Sequence, residues 1–141
     1  METLGSLLDK YSIAKNRFWV LTEEKNTEKL KAVNQQLQLL QDEIDGYLSM
    51  AVHGQIVLEE PKLKMYKHEN ASGVLFTTLG PAIDKLFDAN WTLWKLEDLR
   101  RNKALPDAER LSAADAISTN NRIRNDCIDE INRLFVSLVK K

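Results

Sequence analysis

Residues 78–101 read TLGPAIDKLFDANWTLWKLEDLRR, and residues 3–25 read TLGSLLDKYSIAKNRFWVLTEEK. Set 75 positions apart, the two stretches share Thr3/Thr78, Leu4/Leu79, Gly5/Gly80, Asp9/Asp84, Lys10/Lys85, Ala14/Ala89, Trp19/Trp94 and Leu21/Leu96. Average residue usage gives roughly one or two such identities by chance. At an offset of 87 a second limb repeats as Asn34/Asn121, Asp42/Asp129, Glu43/Glu130 and Ile44/Ile131, with Gln38 opposite Asn125. A helix-turn-helix unit used twice explains both offsets, with extra residues between the helices of the second copy. The expectation is all-α: a four-helix bundle of two duplicated antiparallel helical hairpins in a single domain, 1–141. The hairpins span 3–52 and 77–140, joined by a connection over 53–76.

Composition agrees. Hydrophobic residues are 43% and charged residues 29%, with only 5 Gly and 3 Pro, a balance typical of a helical globular chain. A length of 141 residues suffices to bury one core. The formal net charge of −1 argues against a general nucleic-acid binder, which needs a basic excess to neutralise phosphates. The single Cys127 has no partner for an internal disulfide and cannot alone supply a thiolate zinc site. Met1 is not followed by a charged and then an apolar region, and no apolar run approaches about 18 residues. A cytoplasmic protein without membrane insertion is the corresponding expectation.

Each helix shows an apolar stripe. Leu4, Leu7, Leu8, Tyr11, Ala14, Phe18 and Leu21 recur at helical spacing in the first, and Leu30, Val33, Leu37, Leu40, Ile44 and Leu48 in the second, which Thr27 is placed to cap. Leu79, Ala82, Ile83, Leu86, Ala89, Leu93 and Leu96 form the third stripe. After a turn at 103–105, Pro106 opens the fourth helix, with Leu111, Ala114, Ile117, Ile128, Ile131, Phe135 and Leu138 along one side. In the connection, Gly54, Pro61 and the Asn70-Ala71-Ser72-Gly73 cluster break any helix, while GQIVLEE and KLKMY allow a short β-ribbon.

The fourth helix departs from its apolar pattern at Asn121, Arg124, Asn125 and Asn132. Polar groups on a core face need partners. The third helix offers Asn90, Trp94, Glu97 and Arg101 as a stripe at i, i+4, i+7 and i+11. Antiparallel packing brings Asn90 and Trp94 level with 121–124 and puts Asp84 within reach of Arg124 or Arg133. Two readings follow. Either these side chains form a satisfied network that fixes helix register, or Asn90, Trp94, Glu97, Arg101, Asn121, Arg124 and Asn125 line an inter-helix cleft. In that cleft Arg would clamp an anionic or sugar-like ligand and Trp would stack on it. The Asp9-Lys10 and Asp84-Lys85 pairs read as solvated charge near each helix start.

The second hairpin, with LWKLEDLRR over 93–101 and NRIRNDCIDEIN over 121–132, resembles a bacterial family of small helical proteins of unknown function, some encoded among glycosyltransferase and cell-surface polysaccharide genes. The TLGxxxDK openings and the EKLKAVNQQLQLL limb are similar to a second uncharacterised helical family with a GELIDKLTI-like start. The first resemblance implies that Trp94, Glu97, Asp98, Arg101, Asn121, Arg124, Asn125 and Asp126 belong to one shared motif.

Catalytic constellations are not evident. A di-metal bundle needs Glu-x-x-His pairs, and neither His53 nor His68 has a Glu three residues before it. A helical RNase arrangement starting at Arg124 meets Asp129 where a His is required. Cys127 has no nearby His to activate it. Glu23-Glu24, Asp42-Glu43-Asp45 and Glu97-Asp98 do not match the spacing of a Mg²⁺-dependent pyrophosphohydrolase and read as solvated acidic faces. The functional expectation, with no metal and no cofactor, is a non-enzymatic bundle acting through protein–protein contacts, as a homo-oligomer or with another protein. The alternative is a small enzyme or binding module for a phosphorylated or nucleotide-linked sugar at the polar cleft.

Overall fold

A computed structural model describes residues 2–58 and 75–140. The chain is an all-α four-helix bundle of α1 (Leu4–Glu23), α2 (Thr27–Val52), α3 (Leu79–Arg101) and α4 (Asp107–Val139). Among the described residues there is no strand, and the β-ribbon suggested by GQIVLEE and KLKMY falls largely on 59–74, outside them.

Local chemistry sets the boundaries. The Thr3 hydroxyl accepts from the Ser6 N–H at 3.2 Å to start α1. Lys25 closes that helix in the left-handed region at φ +57°, where its N–H donates to the Thr22 carbonyl and the Asn26 N–H to that of Leu21. This double bond pattern satisfies carbonyls left over at a helix end. Asn26, not Thr27, then caps α2, its side-chain oxygen accepting from the Lys29 N–H at 3.2 Å. Thr27 becomes the first helical residue because a cap must sit outside helical geometry. At the far end of α2, Gly54 at φ +67° repeats the closing pattern, with Gln55 N–H on Met50 O and Gly54 N–H on Ala51 O.

α1 is the central helix, packing against α2, α3 and α4, while α3 and α4 pair along their lengths. α2 leans on α1 and reaches α4 at its own C-terminal end, where the Tyr47 and Phe135 rings lie 5.8 Å apart. The apolar core is divided accordingly. All four helices feed one cluster, including Leu4, Leu7, Tyr47, Leu86, Cys127 and Ile131. The buried members of the other, Ala14, Leu21, Val33, Leu37 and Leu40, come only from α1 and α2. Beside that second cluster the two hairpins leave space.

Two residues assigned to the α4 core stripe are solvated instead: Leu111 is 66% and Leu138 60% exposed. Both lie towards the ends of the 33-residue α4. The stretch entering α3 is fastened to α4 by a clamp. Glu130 accepts from the Phe76 N–H at 3.0 Å and from Arg133 at 2.7 and 2.9 Å, while Arg133 donates to the Phe76 carbonyl at 3.0 Å.

The Arg133 guanidinium and the Phe76 N–H hold the Glu130 carboxyl below its ordinary value of 4.5, against the opposing pull of burial. A lowered folded-state value means that the ionised carboxylate stabilises the fold above about pH 4.5 and that this is lost as pH falls through the lowered value. In urea titrations, wild type should exceed Glu130→Gln by about 1 kcal/mol near neutrality, and the gap should close in acid. A gap independent of pH would show that the clamp does not depend on the charge.

Candidate functional site

One stripe of α1 carries the site. Gly5, Asp9, Ser12 and Asn16, at i, i+4, i+7 and i+11, are all buried. Small side chains on this stripe let the backbones approach: a Cβ on Gly5 would lie 2.5 Å from the Ile128 carbonyl oxygen of α4. The Gly5 N–H, unpaired within the first turn of its own helix, donates to Asn132 Oδ1 at 2.8 Å. One turn further on, Asp9, 6% exposed, receives Arg124 through Nε at 2.8 Å and Nη2 at 2.6 Å. Asn90 Nδ2 of α3 donates to the same carboxylate at 3.0 Å. The Asp9 bonds in turn raise the Arg124 guanidinium further above its usual range. A bidentate pair of this kind is strong and directional, and here it ties three helices together.

Asp9 therefore fills the role assigned to Asp84, which is exposed on α3. The reading of Asp9 as solvated charge is corrected likewise, although Lys10, Asp84 and Lys85 are exposed as expected. The reason is topological. α1 runs antiparallel to α4, so its stripe meets Asn132, Ile128 and Arg124 in succession. Arg133 is held by Glu130 on its own helix.

Beyond Arg124, where the hairpins part, a cleft of about 300 Å³ opens between α1, α3 and α4. Asn90, Trp94, Glu97, Arg101, Asn121 and Arg124 line it, but Asn125 does not and is exposed. Asp98, Leu93 and Ile117 complete the walls from α3 and α4. Ile13 and Asn16 supply the α1 wall, which the sequence reading missed. The signal was present: Asn16 extends the spacing of Gly5, Asp9 and Ser12 and interrupts no apolar stripe.

The two readings of the polar cluster each describe part of it. Asp9, Asn90 and Arg124 satisfy one another directly. Glu97 is paired with Arg100 at 2.7 Å and lies 3.6 Å from Arg101, exposed ion pairs worth at most about 1 kcal/mol each. Asn16 differs. It is 7% exposed and its side chain makes no hydrogen bond among the described residues. No fully buried side-chain polar atom there lacks a partner, so the Asn16 amide reaches solvent through the cleft.

Elsewhere the reactive groups are quiet. Burial pushes the Cys127 thiol up to about 11, leaving it protonated in the core. Among the described residues no cluster of three His, Cys, Asp or Glu side chains is arranged to hold a metal ion, and no helix is long and apolar enough to cross a membrane. No protein-family model, no curated protein and no solved structure matches the chain.

Proposed function

We propose that the protein works by non-covalent binding and that the cleft between α1 and the α3–α4 hairpin receives a compact small molecule. The observation that carries this is Asn16, a side chain nine-tenths buried whose amide has the cleft as its remaining hydrogen-bonding neighbour. Because that amide is solvated only through the cleft, its carbonyl and amino groups are available to exchange water for a ligand's polar groups. The volume of about 300 Å³ lies at the lower end of small-molecule sites. The residues Trp94, Glu97, Asp98, Arg101, Asn121 and Arg124 surround it. A cytoplasmic setting suits a chain with one, protonated, cysteine.

The test is an NMR fragment titration of wild type against Asn16→Leu. Binders should shift the Asn16 and Trp94 signals and, at about 100 times Kd, add about 2.7 kcal/mol of stability, a rise of several degrees in Tm. The leucine variant should lose both effects. A broad library that moves no cleft signal overturns the proposal. Action through protein–protein contacts is favoured by a different observation: Trp19 continues the Gly5–Asn16 stripe yet is 54% exposed. Concentration-dependent sedimentation that Trp19→Ser abolishes would support that reading, and a monomer at all concentrations would remove the homo-oligomer.

A further inference from the structure

We infer that the occupant of the cleft is an uncharged ring with apolar faces and hydrogen-bonding groups at its edge, and not a phosphorylated compound. This rests on the reading of the cleft as a small-molecule site.

The Nε–Nη2 edge of Arg124, one of the two that could grip a phosphate through parallel N–H bonds, is already closed on Asp9. The charges at the cleft point the same way. Arg101 and Arg124 stand against Glu97 and Asp98 on the walls, with Asp9 directly behind Arg124. Arg100, bonded to Glu97, makes three positive against three negative groups, so the cleft holds no net positive charge to draw an anion. The Asp9–Arg124 pair is neutral as a unit, so the Arg124 charge is already compensated. Arg101, the one wall guanidinium left mostly to solvent, is already close to Glu97.

The remaining chemistry selects a neutral amphipathic ring. Trp94, Leu93 and Ile117 offer apolar contact. Asn16 and Asn121 each present a carbonyl and an amino group on one side chain, so they pair with edges that both donate and accept. Hydroxylated saccharide rings and the edges of nucleobases both have that character, and the space suits one ring system.

Three panels, followed through the side-chain amide signals of Asn16 and Asn121 and the Trp94 indole signal, test the inference on the intact protein. The first contains uncharged monosaccharides and uncharged nucleosides as separate arms, which identify the source of the ring. The second contains their phosphorylated counterparts, and the third contains benzene. We expect a member of the first panel to bind at least about tenfold tighter than its phosphorylated counterpart, with an affinity indifferent to salt. Asn16→Ala should weaken it about tenfold without lowering Tm. Asp9→Asn, which frees the Arg124 charge, should narrow the preference against phosphate; if that variant fails to fold, the salt comparison on wild type serves instead. A phosphorylated counterpart that binds as tightly or tighter, or salt-sensitive binding, overturns the neutral class while leaving the site reading intact. Shifts with benzene alone do the same. Silence from all three panels brings down the class and the site reading together.

Discussion

Replacing Arg124 by Met lowers the unfolding free energy by about 3–5 kcal/mol. The substitution keeps much of the side-chain volume and removes the charge, leaving the Asp9 carboxylate buried with the Asn90 amide as its remaining partner. That is a large fraction of the roughly 5–15 kcal/mol that holds a domain of this size together. Asp9→Leu strands the other partner, but Arg124 has access to cleft water and its loss should be smaller, about 2 kcal/mol. The double variant Asp9→Leu/Arg124→Met removes both charges and should recover most of the deficit, because a buried pair exchanged for apolar groups is often close to neutral. Asn90→Ala removes one neutral donor and should cost about 1 kcal/mol. Urea unfolding of the set measures the coupling directly. If Arg124→Met is as stable as wild type, the pair is incidental, and α1 is held in place by its apolar contacts alone.

Helix number and much of the cleft were legible in the sequence because both are properties of single helices. The apolar stripes of α1 and α2 need only the 3.6-residue repeat, and nearly all their members are buried or half-buried. The Asn90, Trp94, Glu97 and Arg101 stripe is local in the same sense, and the short 102–106 turn makes α3 and α4 neighbours, so the facing of Asn90 and Arg124 followed. What periodicity cannot say is which helix enters the groove of that hairpin, and with which residue. Asp84, on the paired helix, was the carboxylate assigned to Arg124; Asp9 takes that place instead, supplied across 115 positions of chain. The same ignorance left Asn16 unassigned and counted Asn125 with Asn121. Leu111 and Leu138 fit the α4 pattern but face solvent towards its two ends, which the stripe alone does not reveal.

The sharpest case is the glycine shared by the two TLG openings, for which identical substitutions should differ widely in cost. A methyl group added at Gly80 would have nothing within 4 Å beyond its chain neighbours, but the following Pro81 disfavours helical geometry for a residue with a Cβ and offsets the propensity gain, so Gly80→Ala should change stability by less than about 0.5 kcal/mol. At Gly5 the same methyl meets the Ile128 carbonyl oxygen at 2.5 Å and Asn132 Oδ1 at 3.0 Å. The first of these is backbone inside α4 and cannot swing aside. α1 must then move away, which strains packing by about 1–3 kcal/mol and stretches the Gly5–Asn132 hydrogen bond, worth about 1 kcal/mol. After the propensity gain of about 1 kcal/mol is credited, Gly5→Ala should still destabilise by about 2 kcal/mol, and Gly5→Val by more. Displacing α1 at Gly5 also pulls on Asp9 one turn later, so Gly5→Ala combined with Arg124→Met should cost less than the sum of the two. Additive losses would mean that the close approach and the ion pair hold α1 independently. A Gly5→Ala protein as stable as wild type would mean that α1 is not seated against α4 at this distance, and the α1 wall of the cleft would lose its support.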